Sequence, residues 1–423
     1  HYHGTENYTL EVARNLQEAG HEPIVISAIF QGEPKKGELV TNYVYQGIPV
    51  FCIDKNEIPI KRIKDTYYQP EIKRHLVALL NEINPDIIHV THLINHTAVL
   101  LEAGEELGIP LVATLTDFFG FCYNNRLQTV DGSLCSGPNT KRTNCLACFI
   151  KAHGERPNAS LLERIIGHPK ISKIAASLTQ GKTEFARDIF DRPDILSKCY
   201  SAYKAIIAPT TFLLQAYKYN GLEVPAHLIH FGVDLPREAK PVRAHEHPLR
   251  FGFIGQIAHH KGTDLLIDAF GMLRKGAAEL GILGAEEQDP AYSKELRRAA
   301  KDSSVFFKGT FPKEKMIDVL NSIDFLVIPS RWYENSPLVL LNALASHTPV
   351  IISDVEGMTE FVENGRNGFT FKRDNKEDLH RVLNHIISTP GLAETMSNKT
   401  EYLKDSKQMT KEILDIYSNV LES

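Results

Sequence analysis

A carboxylate, Glu334, stands at the mouth of an expected helix in the stretch Pro329 to Gly368, PSRWYENSPLVLLNALASHTPVIISDVEGMTEFVENGRNG. Ser336 has the side chain of an N-cap, and Pro337 suits the first helical position. That reading leaves the N–H groups of Leu338 and Val339 pointing into the loop, an arrangement that binds anions. Lys261, in the loop GQIAHHKG, also precedes a helix, and its flexible ammonium supplies charge where backbone amides supply direction. A lysine beside a glycine is equally at home on an ordinary surface. Asp117, just past an apolar run, sits where α/β sheets place functional groups; its plainer role is a turn former or N-cap. Cys122, Cys135, Cys145 and Cys148 form a second constellation, with Cys145-Leu-Ala-Cys148 giving the two-residue gap that lets two thiolates reach one ion. Four thiolates suit tetrahedral structural zinc. A second CxxC is missing, so four reduced thiols in a loop is the alternative. His89, His92 and His96 lack a carboxylate at ligand spacing and read as solvated or hydrogen-bonded histidines.

The elements that must position these groups alternate. A Gly-containing turn, His3-Gly4-Thr5-Glu6-Asn7, opens a helix over 6–19 that Gly20 ends. A strand is expected before such a turn, and the sequence opens without one. Strands follow at 23–29, 86–90 and 111–115, with helices at 71–83 and 98–107. This alternation implies right-handed crossovers and a doubly wound parallel sheet. Residues 158–205 carry Lys170, Lys173, Lys182, Arg187, Arg192 and Lys198, but Glu184, Asp188, Asp191 and Asp194 interrupt them, so a solvated helical face is expected rather than a membrane-surface helix. Thr210 or Thr211 caps a helix over 212–219, and LIHFGVD (228–234) reads as a strand. The proline-rich, charged stretch 235–248 is the expected domain boundary. A second series follows, with strands at 251–254, 279–283, 304–309, 325–328 and 350–352 and helices at 264–274 and 313–322; Gly284 is a place where a ligand can lie close to backbone. A final helix is expected over 409–421, packing back across the junction.

Length, 43% apolar content and a net charge of −5 favour two globular domains and give no reason to expect nucleic-acid binding. No run reaches the roughly 18 apolar residues of a membrane span, and no signal-peptide pattern opens the sequence, so the cytoplasm is the expected compartment. Six cysteines in this length are not a secreted disulfide framework.

Taken in order, HGTENY, FIGQIAHHKGTDLLIDAF, ELGILGAEE, VFFKGTF and PSRWYENSPLVLLNALASHTPVIISDVEGMTEFVENGRNGF resemble family 4 of the retaining, nucleotide-sugar-dependent glycosyltransferases (group 1, GT-B fold). TLTDFFGFCYNNRL resembles the cysteine-containing subgroup that builds surface polysaccharides. The resemblance implies an α/β GT-B chain of two Rossmann-like domains with the active site in the cleft between them. Residues 1–235 would form the acceptor-side domain, with a cysteine-containing insertion over about 118–205. Residues 236–405 would bind the nucleotide-diphosphate sugar, and 406–423 would be the returning helix. No catalytic cofactor is implied; the partners are a glycan or glycolipid acceptor and, at the inner membrane face, peripheral lipid.

Residue by residue, Glu334 matches the first acid of the family's E-x7-E signature, which contacts donor sugar hydroxyls. Asn335, Ser336, Pro337, Leu338 and Val339 match the loop and helix start that hold sugar and diphosphate through backbone amides. Lys261 matches a diphosphate-binding lysine, Gly4 the first-domain loop facing the phosphates, and Gly284 with Phe307-Lys308-Gly309 the neighbourhood of the base. Three positions depart: the second signature acid falls on Asn342, the diphosphate arginine on Gln256, and the histidine before Asp117 on Thr116. An amide at 342 keeps a hydrogen bond to a ribose hydroxyl and loses its charge-assisted part, roughly 1 kcal/mol. Lys261 and the helix dipole partly cover the charge lost at 256. The expected activity is retaining sugar transfer, with Glu334, Asp117 and Lys261 at the reacting centre. A nucleotide-binding protein of the same fold without catalysis is the second reading, and a nucleotide-sugar epimerase, which needs paired acid and base groups, is the third.

Overall fold

The computed structural model describes residues 4–30, 38–156, 158–179, 181–234, 248–301 and 304–422. The chain divides into two compact units, residues 1–230 with 406–423, and residues 231–405. The expected linker over 235–248 lies, but for Pro248, outside the described residues.

The first unit holds two sheets. Strands β1 (Val25–Ile29), β2 (Val40–Tyr45) and β3 (Ile48–Asp54) form one of order β1-β3-β2. β1 runs parallel to β3, whereas β2 is antiparallel to it. The β2–β3 pair departs from the all-parallel expectation for a local reason. Gln46 and Gly47 both adopt left-handed backbone (φ 51° and 84°), the geometry of a two-residue hairpin turn matched to strand twist. Strands β4 (Ile88–Val90), β5 (Leu111–Thr114), β6 (Tyr203–Ala208) and β7 (Ala226–Leu228) form a second, wholly parallel sheet in that order. β7 is shorter and earlier than LIHFGVD suggested, because it pairs only with β6, and pairing stops at Leu228. Thr210 caps the helix Thr211–Tyr219 by accepting from the Leu213 N–H. The C-terminal helix Ser406–Leu421 belongs to this unit: Asn15 Nδ2, on the helix Gly4–Glu18, reaches Ser406 Oγ at 2.7 Å.

The second unit is one parallel sheet of six strands: β8 (Leu249–Ile254), β9 (Ala278–Leu283), β10 (Val305–Gly309), β11 (Phe325–Ile328), β12 (Val350–Ser353) and β13 (Gly368–Phe371). Their order is β10-β9-β8-β11-β12-β13. Strand order therefore reverses between β8 and β11, with Leu265 and Leu266 after β8 packing in one core and Leu340 and Leu344 after β11 in the other, and such a reversal is where α/β sheets bind ligands. Successive side chains of β11 enter different cores. Phe325 and Val327 pack with Phe251, Leu280 and Leu383, while Leu326 and Ile328 pack with Leu340, Leu344 and Val350. Burial on both faces explains why these strands read as continuous apolar runs.

Candidate functional site

Lys261 and Glu334 come from the two loops at that reversal. The loop after β8 closes in a turn, His259–Lys261, followed by Gly262 and the helix Thr263–Gly271. Gly262 has φ +72°, and a Cβ there would lie 2.0 Å from the Pro329 carbonyl oxygen, so only glycine lets the two loops approach this closely. The loop after β11 presents Ser330 to Pro337. Lys261 Nζ donates to Glu334 Oε1 at 2.7 Å, Trp332 Nε1 donates to the same oxygen at 2.9 Å, and Ser330 Oγ donates to it as well. Lys261 Nζ also lies 5.0 Å from the Trp332 ring centroid, a cation–π contact. Glu334 is 6% exposed. Burial alone would push its carboxyl up, but the Lys261 ammonium and the Lys261, Ser330 and Trp332 hydrogen bonds outweigh it and hold the group below the usual carboxylate range. The carboxylate is therefore fixed as an anion, with three donors gathered on Oε1.

The helix mouth differs from the expected capping. The helix runs Leu338–Ala345 with Pro337, not Ser336, as N-cap. Ser336 has φ 56°, in the left-handed region, and its buried hydroxyl makes no hydrogen bond. The cause is the neighbouring turn: Glu334 N–H donates to the Glu356 carbonyl and Ser336 N–H to that of Gly357, which draws 334–336 against residues 356–357. Gly357 (φ +85°) is required there, since a Cβ would sit 1.5 Å from the Glu334 carbonyl oxygen. The first-turn N–H groups of Leu338 and Val339 still have no carbonyl within their own helix.

Sequence reasoning did not single out Arg331, which holds the two loops in register. Its guanidinium donates to Asp264 Oδ1 and Oδ2 (2.6 and 3.0 Å), Asp374 Oδ1 (2.6 Å) and the His259 carbonyl (2.8 Å), and its N–H donates to the His260 carbonyl (2.8 Å). The arginine three residues before Glu334 was visible; its carboxylate partners, 67 and 43 residues away, were not.

The remaining expected donor contacts lie apart. Gln256 is exposed in the β8 loop, Lys308 is exposed on β10, and Asn342 is half-buried in the helix Leu338–Ala345; among the described residues no side-chain hydrogen bond joins them to the Lys261–Glu334 pair. Gly284 accommodates backbone of its own unit rather than an open ligand space, because a Cβ there would meet the Gly255 carbonyl oxygen at 2.2 Å.

In the first unit, Gly4 is the first residue of its helix, with open space around its Cβ position. Asp117 does two things: Oδ1 accepts the Phe119 N–H at 2.9 Å, a turn, and Oδ2 lies 3.2 Å from His92 Nε2. Burial would lower the His92 imidazole; the hydrogen bond and charge of Asp117, with Glu6, prevail and raise it. Thr116 Oγ1 donates to the Thr91 carbonyl (3.0 Å). His89 is hydrogen-bonded to Tyr417 Oη and Thr114 Oγ1 (2.5 and 2.8 Å). Burial pushes His89 and His96 down to about 4, neutral at ordinary pH.

The four cysteines are free thiols. Burial pushes the Cys145 thiol up, and the neighbouring Cys122, Cys135 and Cys148 add to the shift, so the four share one region. As placed they are turned to local partners instead: Cys122 Sγ donates to Asn124 Oδ1 (2.9 Å), Cys135 Sγ accepts the Gly137 N–H (3.4 Å), and Cys148 Sγ accepts from Tyr123 Oη (3.4 Å). Among the described residues no group of three or more His, Cys, Asp or Glu side chains is placed to hold a metal ion.

The expected solvated face over 158–205 is more apolar than its charges suggested. The helices Leu161–Gly167 and Pro169–Thr179 expose Leu161, Leu162, Ile165, Ile171, Ile174 and Leu178, with Leu161 at 76%. Among the described residues no helix is long and apolar enough to cross a membrane.

Comparison with known proteins bears on the family and the fold. The family described as Glycosyltransferase Family 4 matches residues 2–128, and that described as Glycosyl transferases group 1 matches residues 236–402. The poly(ribitol-phosphate) alpha-N-acetylglucosaminyltransferase of Staphylococcus aureus is 26% identical over 193 residues, 43% of this chain and 38% of that protein. The chain matches between about a third and a half of the length of such curated relatives. The sucrose-phosphate synthase of Thermosynechococcus elongatus superposes with a TM-score of 0.65 at 16% identity, covering 99% of this chain and 94% of its own. Anabaena Alr3699/HepE, in complex with UDP and glucose, does so with a TM-score of 0.63 at 17% identity, covering 98% and 96%. The chain belongs to the group 1 glycosyltransferases of family 4 type and has the GT-B fold, with two Rossmann-like domains.

Proposed function

We propose that this protein moves a sugar from a nucleotide-diphosphate sugar to a glycan or glycolipid acceptor in surface polysaccharide biosynthesis, retaining the anomeric configuration and using no catalytic metal. The observation that carries the reading is the Lys261–Glu334 pair at the strand-order reversal, beside first-turn amides that have no carbonyl within their own helix. Glu334 gathers its three donors on Oε1, which leaves Oε2 to accept from sugar hydroxyls. Lys261 and the amides of Leu338 and Val339 would bear the charge that develops on the leaving diphosphate, which itself takes the acceptor proton. The names of the relatives agree with a sugar-nucleotide donor, since Alr3699/HepE holds UDP and glucose. Glu334→Ala is expected to lower transfer by at least about a hundredfold with the fold retained, measured as sugar transferred against a panel of donors. Turnover equal to wild type refutes the role.

The departures at Asn342, Gln256 and Thr116 favour, as second reading, a chain that binds nucleotide without transfer. A nucleotide-sugar assay separates the two, because a pure binder releases no nucleoside diphosphate.

The apolar ridge over 161–178, flanked by Arg164, Lys170 and Lys173, supports peripheral contact with an anionic membrane, and with it a lipid-linked acceptor at the inner face. The grouping of Cys122, Cys135 and Cys148 around Cys145 is what supports a structural zinc, which would require those thiols to turn from their present partners. Metal analysis of untagged protein is expected to give about one equivalent. Metal-free, fully folded protein removes that proposal.

A further inference from the structure

A cavity of about 490 Å³ lies within the first unit, away from the Lys261–Glu334 pair in the chain. Its walls come from segments that follow strands: Phe30 and Lys55 directly after β1 and β3, Asn95 and Phe119 in the loops after β4 and β5, with Asn125 and Arg192. Carboxyl ends of strands are where α/β sheets hold ligands. The volume falls in the range of small-molecule sites, about 300–1,000 Å³, and is far larger than one small ion needs.

Two buried cations line it. Arg192 is 3% exposed and Lys55 8%. Arg192 donates through Nη2 alone, to the carbonyls of Phe119 (2.6 Å) and Cys122 (3.2 Å) and to Asn125 Oδ1 (3.2 Å); its Nε is buried and makes no hydrogen bond. Lys55 Nζ donates to the side-chain amide of Gln69, a neutral acceptor. Among the described residues neither cation forms a salt bridge. The one carboxylate on the wall, Asp65, turns Oδ2 to the N–H groups of Lys61 (2.8 Å) and Arg62 (3.1 Å). The Arg192 guanidinium also lies over the Tyr67 and Phe119 rings (5.0 and 4.7 Å to the centroids), but buried cations are ordinarily met by a carboxylate, and two that form no salt bridge at a single cavity suit an anionic ligand. Burial pushes both groups below their usual values, with Asp65 and Glu71 partly opposing it at Lys55 and Cys122, Tyr200, Tyr67 and Asp117 at Arg192. Asn56, Asn95 and Asn125, with Phe119 and Tyr123, complete a lining that mixes amide and aromatic groups.

We infer that this cavity binds an anionic saccharide, a sugar acid or a sugar phosphate, whose carboxylate or phosphate is received by Lys55 and Arg192. That the bound saccharide is the acceptor rests on the transferase reading; the binding itself does not.

Calorimetric titration of the whole chain with glucuronate, glucose 6-phosphate, glucose and inorganic phosphate tests it. One of the two charged sugars is expected to bind at least tenfold more tightly than both glucose and free phosphate, and which one it is identifies the anion. Lys55→Gln is expected to weaken that binding at least tenfold. Arg192→Gln, which also loses contacts to three loop oxygens, is read only if its melting temperature is kept, so Lys55→Gln is the deciding variant. Nucleoside diphosphate binding by the same wild-type protein reports the donor-site reading separately. Protein that binds a diphosphate but does not prefer a charged sugar over glucose overturns the inference, as does free phosphate binding as well as either sugar, or a Lys55→Gln variant that binds like wild type.

Discussion

At the scale of single residues, the ion pair of Lys261 with Glu334 is structural as well as chemical. Glu334 is buried, and removing the ammonium alone leaves an uncompensated carboxylate. Lys261→Met should therefore cost about 3 kcal/mol of unfolding free energy in chemical denaturation, and adding Glu334→Gln should recover most of it. If the double variant is no more stable than the single one, the two groups are not coupled as the geometry states. His89 and His96 contribute to the pH response of the first unit in one direction. Each is held neutral by burial, with its pKa lowered from 6.5 to about 4. The unfolded chain then binds more protons than the folded one, so the stability they contribute is fully present above about pH 6.5 and lost as the pH falls towards 4. Thermal melts across this window should show that decline, and His89→Gln should flatten it; an unchanged slope would contradict the assignment to His89.

At the scale of elements, two glycines let the loops meet. Gly357→Ala would drive a Cβ into the Glu334 carbonyl, and Gly262→Ala into that of Pro329. Each is expected to destabilise by at least about 2 kcal/mol and to weaken nucleotide binding, because each shifts a loop that carries Lys261 or Glu334. Retained binding in both variants would mean that loop register does not matter. The strands β8 to β12 of the second unit were readable, the central ones as apolar runs buried on both faces, whereas its helices Pro290–Ala299 and Lys376–Ile387 were not anticipated. The sequence did not disclose β2 or β3, whose antiparallel pairing depends on a Gln46-Gly47 turn rather than on periodicity, nor β13. The capping of the helix Leu338–Ala345 was misjudged because Ser336 is drawn into left-handed backbone by Glu356 and Gly357, some twenty residues on. The Arg331 contacts were hidden for the same reason. Glu334 and Lys261 were both legible from residue type and position, but their hydrogen bond was not, because only the sheet order brings their loops side by side.

At the scale of the whole molecule, the two units carry different chemistry. The second holds the helix mouth and the ion pair, while the first holds the two-cation cavity and the exposed apolar ridge. If the ridge meets lipid, sedimentation with vesicles rich in an anionic phospholipid should carry the protein down, and Ile174→Asp with Leu178→Asp should release at least tenfold of it. Equal binding to neutral vesicles would remove the basic flank from the account. The central claim concerns the second unit, and titration with uridine, guanosine and adenosine diphosphates tests it most directly. The account predicts that one of the three binds saturably and raises the melting temperature, that Lys261→Ala weakens it at least tenfold, and that amide-exchange protection appears in the loops over 255–263 and 330–339. Absence of binding by all three, or binding indifferent to Lys261, would contradict it.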